Sequence, residues 1–231
     1  MVMREMRSKK AALNLYKVSY FLSSTLWGYS ILRDRPWFPA CLGGSGDIVD
    51  TFSGYPYAPQ NPQEEMVKLY MLVTQGYHLE SLISHFVLER RNDYIEMALH
   101  HIVTIYLYSG CYLMNCTQIG AVIAFLHDVA DVTTPLCKMW SETRYSHIAI
   151  ACFISNVFLW GYTRNLVFPW VIYSIIFKIK DDFNGEPLLR PYFAFLLSCL
   201  AVLHYYWLYL MYRILSHYWR RGECDDIQNK L

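Results

Sequence analysis

The sequence predicts an all-α, polytopic membrane protein built on six transmembrane helices, and three observations carry that expectation. Residues of the AVILMFWYC set make up 55% of the 231 positions and charged residues only 17%, against roughly 25% charged in soluble domains. Six apolar stretches reach about 19 residues or more, the length that crosses a ~30 Å hydrocarbon core at ~1.5 Å per residue. The connections between them carry Lys and Arg unevenly, as the two sides of a membrane require. Twenty Tyr, twelve Phe and seven Trp exclude a disordered chain, and a formal charge of +1 leaves no electrostatic footprint for nucleic acid.

Taken in order, the charged start, residues 1–10, leads into span one, Ala11 to Leu32, which is too long and too polar for a cleaved signal sequence and is expected to be retained. The connection from Arg33 to Glu65 is rich in Gly, Pro and Tyr and reads as an ordered loop. Span two, Met66 to Leu88, holds Lys68, His78, Glu80 and His85. A turn at ERRND forces it into an antiparallel hairpin with span three, Tyr94 to Leu113, and a second tight turn near Asn115 leads to span four, Gln118 to Leu136. Span five, Ile148 to Ile176, has one charge, Arg164, and span six, Tyr192 to Tyr212, has none. The expected organisation is a cytosolic segment 1–10, one membrane domain 11–219 and a cytosolic tail 220–231. Seven cysteines form no CxxC pair or zinc-type spacing and read as packing thiols, and the sequon at Asn115 abuts a span end where burial competes with glycosylation.

With six spans both termini share a side. That side carries thirteen of the Lys and Arg residues and the other six, with Arg164 inside the membrane, so both ends are expected in the cytosol. Helix rise then places His101 roughly 10 Å below the cytosolic face and His127 and Asp131 at about 6 to 14 Å from it. Polar groups in a helix centre cost ~2.5 to 3.5 kcal/mol each on insertion scales, so they are expected to meet one another in a protein interior. His100 and His101 on span three and His127, Asp128 and Asp131 on span four, at matching depth, can bind a metal, relay protons, or transfer an acyl group through a histidine nucleophile or base oriented by a carboxylate. Histidine-rich di-iron chemistry needs HxxH spacings that the eight His do not form, and nothing demands a metal. Arg164 must find an anion, either a span-four Asp or a phosphate. Thr104, Tyr108, Tyr112 and Asn115 continue the face of His101, as a cavity wall or a polar seam. His78 and His85, seven apart on span two, read as helix-helix hydrogen-bonding groups or as part of the cavity wall, and His204 and Trp207 as packing or lipid-interface residues.

At these residues the chain resembles a known family. RNDYIEMALHH, YSGCYLMN and QIGAVIAFLHDVADVTTPLCKMW are similar to the Lag motif of ceramide synthases in the TLC family, which pairs a double His with LHDxxD, matched here with Asn115 and Gly120 between them. LYKVSYFLSSTLWGYSILRDRPWF, TRNLVFPW and VLHYYWLYLMYRI resemble further spans, so the likeness covers roughly residues 11–219 and begins at about the second span of animal members. Pro135 and Gln118 stand where the family commonly has an acidic residue and an Arg.

The resemblance implies a TLC-type helical barrel around a lipid cavity in the endoplasmic reticulum membrane, and transfer of a fatty acyl group from acyl-CoA to the amine of a sphingoid base. Acyl-CoA is then a co-substrate, with no further cofactor and no metal. His100, His101, His127, Asp128 and Asp131 are the implied catalytic set, with Asp128 or Asp131 fixing a histidine tautomer, and Tyr108, Tyr112, Asn115, Arg164 and Trp207 are candidates for substrate contact. Membrane lipid is the surrounding partner, and a homodimer or an accessory subunit is left open. The alternative is a non-catalytic TLC protein that binds, senses or moves lipid. The segment Lys178 to Pro191 is expected to cap the acyl tail at the non-cytosolic end.

Overall fold

The computed structural model describes residues 2–53, 62–87, 93–141, 143, 145–179 and 188–221. Within them lie six helical rods. They are α1 (Val2–Leu32), α2 (Pro62–Val87), α3 (Tyr94–Leu113), α4 (Thr117–Asp131) continued by α5 (Thr133–Ser141), a rod made of α6 (Ser146–Trp160) and α7 (Phe168–Tyr173), and α8 (Leu189–Arg221). No strand occurs among the described residues, where an isolated bridge joins Pro39 and Gly46.

The rods match the six apolar stretches; α3 has the expected bounds, and the others run past them at one end or both. Helix α1 includes the charged start, because Met, Arg, Glu, Lys and Ala are good helix formers and no Gly or Pro interrupts them before Gly28. Helix α2 opens on Pro62, whose fixed φ suits a first turn and whose missing N–H costs nothing there. Val132 keeps helical angles (φ −60°, ψ −43°), so α4 continues into α5 and the rod ends at Ser141, not near Leu136.

The fifth rod departs further from expectation. Between α6 and α7, Gly161–Val167 winds as a π-helix, and a second π stretch covers Ser174–Lys178. The Phe168 N–H reaches back five residues to the Thr163 carbonyl. Pro169 explains part of this irregularity, since it has no N–H for the carbonyl four residues earlier, that of Asn165. That carbonyl instead accepts the Tyr205 hydroxyl of α8 at 3.2 Å.

Helix α4 occupies the middle of the bundle. Every residue from Thr117 to Asp128 is buried, with α1, α2, α3, α6 and the first π stretch packed on it. Small residues at 120, 121 and 124 allow this close approach, and a Cβ on Gly120 would lie 2.5 Å from Met71 Cε. Among the described residues the middle of the bundle is occupied by α4, beside the narrow pocket described below. The outer rods carry apolar residues on their outward faces instead. Phe195, Val202 and Tyr209 repeat every seven residues along α8 and are all more than half exposed. Two stretches, Thr117–Ser141 and Leu189–Arg220, are long and apolar enough to cross a membrane by length and composition.

The connection after α1 folds back on the bundle as a short plug. Trp37, Phe38, Ile48 and Phe52 are buried in the main core, Phe38 edge-on to Phe125 of α4. The Asp47 carboxylate accepts the Val49 N–H to start the 3-10 turn Ile48–Phe52. The turn at ERRND, residues 54–61, most of the 178–191 cap and the tail 222–231 lie outside the described residues.

Candidate functional site

Five histidines from four helices form a buried chain of rings. His101 and His100 come from α3, His78 from α2, His204 from α8 and His127 from α4. Centroid separations are 5.8 Å for His101 to His78, 6.2 Å for His78 to His100, 6.4 Å for His100 to His204 and 5.0 Å for His204 to His127. His78, His100, Thr104, Tyr108, His127 and Asp131 line a narrow pocket closed by Leu107, Ile123 and Leu200. His100 of the double His thus meets His127 and Asp131 of α4 across one space, whereas His101 and Asp128 do not line it.

The hydrogen bonds assign tautomers at one end of the chain. His127 Nδ1 lies 2.7 Å from the Ile123 carbonyl and His127 Nε2 lies 3.3 Å from His204 Nε2. A carbonyl only accepts, so in the neutral pair Nδ1 of His127 carries the hydrogen and its Nε2 offers a lone pair. His204 then donates from Nε2, which leaves the lone pair on its Nδ1, a buried atom with no hydrogen-bond partner. A backbone carbonyl and a second imidazole orient His127.

Both aspartates are engaged elsewhere, which corrects the expectation that one of them fixes a tautomer. Asp128 accepts the Ser24 hydroxyl of α1 at 2.6 Å and the Tyr70 hydroxyl of α2 at 3.0 Å. Gly28 makes room for that reach, since a Cβ there would stand 2.9 Å from the Tyr70 ring. Asp131 pairs with Arg164 at 2.6 Å. The same guanidinium nitrogen donates to the His127 carbonyl at 3.2 Å, and the Arg164 head lies over the Trp160 ring at 4.0 Å. Of the two anions open to Arg164, the span-four Asp is the one it meets. Neighbours on a helix diverge by about 100°, and Asp128 therefore points to α1 and α2 while His127 points to α8.

The remaining candidates divide. Tyr108 is buried in the pocket wall, and Trp207 is buried with its ring edge-on to His100 at 5.4 Å. Neither His204 nor Trp207 faces lipid, because α8 turns both onto α3 and α6. Tyr112 is 43% exposed and Asn115 sits in the turn after α3 with φ 56°; neither lines the pocket. Asn is among the few residues that accept that left-handed geometry. Thr117 of the sequon is buried. Of the two readings open to His78 the structure shows the wall: it lines the pocket, and its Nδ1 is unpartnered. His204 carried a signal that the charge patterns lacked, being the one histidine of an uncharged span and one turn before Trp207.

The family model for the TLC domain matches residues 10–213. "Ceramide synthase 1 LOH3" of Arabidopsis thaliana is 30% identical over 222 residues, covering 92% of this chain and 70% of that protein. "Ceramide synthase hyl-2" of Caenorhabditis elegans is 26% identical over 193 residues (79% and 58%), and "Ceramide synthase 4" of Homo sapiens is 28% identical over 229 residues (98% and 55%). The chain spans from just over half to about three quarters of the length of the curated relatives it matches. It belongs to the ceramide synthase group of the TLC-domain family.

Proposed function

We propose that this protein is a sphingoid base N-acyltransferase that takes its acyl group from acyl-CoA. The observation that carries the reading is that His100 and His127 line one pocket with Asp131 and Tyr108. Of the adjacent pair, His100 lines that pocket, so the reading makes it the nucleophile. Its lone pair attacks the thioester carbonyl, the C–S bond breaks, and CoA leaves as the thiol with the ring N–H proton that the acylated His100 gives up. The sphingoid amine then opens the neutral acyl-imidazole, an amide forms, and the proton lost by the amine passes through a neighbouring imidazole back to His100, which ends as neutral imidazole with its lone pair free. His127, with its Nε2 lone pair, is the base in this scheme. Asp131 and Arg164 hold the backbone of His127 in place. Asp128 acts through the fold, by tying α1 and α2 to α4.

The same reading places all six rods across the endoplasmic reticulum membrane with both termini in the cytosol. The outward apolar faces and the Lys and Arg asymmetry support it. The acyl tail then runs from the histidines between α3, α4 and α8, past Leu107, Ile123 and Leu200. The decisive assay supplies membranes containing the protein with a labelled long-chain base and a panel of acyl-CoAs. Labelled ceramide that disappears in His100→Ala and His127→Ala supports the enzyme. Base or acyl-CoA binding without any amide product would support the lipid-binding alternative instead.

A further inference from the structure

We infer that His78, His100 and His101 form a zinc site, and that zinc held there blocks the pocket. One ring nitrogen of each histidine lies within 4.8 Å of the others, and all three side chains are more than nine-tenths buried. Their Nδ1 atoms are buried without a hydrogen-bond partner, a state that ordinarily costs about 1–3 kcal/mol per group. Two helices supply the set, α2 one ligand and α3 two, so the site needs no loop to close.

The chemistry of the donors selects the ion. Three neutral imidazoles suit zinc and other late first-row metals and are poor ligands for magnesium or calcium, which require oxygen. Zinc bonds imidazole at about 2.0–2.1 Å in tetrahedral geometry, which asks each nitrogen to move inward by under about 1 Å from its present position. Three protein ligands leave a fourth place for water on the side of the pocket. Binding uses a lone pair of His100 that the acyl transfer needs. The blocking effect rests on the acyltransferase reading, whereas the metal site itself does not.

The test uses the full chain purified in detergent, stripped with a chelator and titrated with Co²⁺ as a spectroscopic probe and with Zn²⁺ as competitor. Expected is one cobalt per chain with the intense visible absorption of tetrahedral coordination, displaced by zinc. His78→Gln and His101→Gln should each weaken binding at least tenfold, His78→Cys should retain it with a thiolate charge-transfer band, and His147→Gln, an exposed position on α6, should change nothing. Absence of stoichiometric cobalt in the wild-type protein, or binding equal in His78→Gln and wild type, overturns the site. Neither readout involves turnover, so a chain without acyltransferase activity still decides the metal question. In an active preparation one equivalent of zinc should inhibit and chelator should restore the rate. Binding with full activity overturns the blocking role, and binding that chelator removal shows to be essential overturns both blocking and the metal-free mechanism.

Discussion

At the scale of single residues the polar interior separates into groups that do chemistry and groups that hold the helices. His100→Ala should lower acyl transfer by a factor of 10² or more, the usual cost of losing a nucleophile or base, with little change in the melting temperature of the detergent-solubilised protein. Asp128 belongs to the second class, since its bonds go to Ser24 and Tyr70. Asp128→Ala should destabilise by about 1–3 kcal/mol through two stranded hydroxyls, with Asp128→Asn milder because an amide oxygen still accepts; equal Tm for wild type and Asp128→Ala would contradict the assignment. Arg164→Ala strands Asp131 in a low-dielectric interior and is expected to cost about 3–5 kcal/mol, as for other broken buried pairs. The double change Arg164→Met with Asp131→Leu should recover much of that loss, because it removes both charges together.

At the scale of elements, the sequence made the rods legible and left their irregularities hidden. Counting apolar residues against a ~30 Å core finds each helical rod, yet the count is the same whether a turn is α or π, so Gly161–Val167 escaped it. The histidine cluster was half legible. His100, His101 and His127 could be matched by depth, whereas His78 and His204 needed the rotation of α2 and α8 about their axes, which depends on packing far along the chain. The carboxylate partners were illegible for the same reason. Two expectations test elements directly. Tyr205→Phe should orphan the Asn165 carbonyl and cost about 1–2 kcal/mol by thermal unfolding. Leu107→Trp, which fills the pocket on its apolar side, should shift the acyl-CoA profile toward shorter chains; an unchanged profile in an active variant would move the tail path away from the α3–α4–α8 seam.

At the scale of the whole molecule, α4 is the helix that the others enclose, and that position has consequences for the order in which the protein is made. Ser24 and Tyr70, the partners of Asp128, leave the ribosome before it. Arg164, the partner of Asp131, follows 33 residues later, about 2–7 s at ordinary elongation rates. During that interval the nascent chain has one satisfied carboxylate and one waiting for its cation, on a helix whose residues Thr117 to Asp128 are all buried in the finished bundle. Released chains ending at residue 150 should therefore keep α4 extractable or accessible to protease, and released chains ending after α7 should protect it. Assembly of this bundle thus has a fixed order, in which Asp131 of α4 stays without its cation until the fifth rod arrives with Arg164.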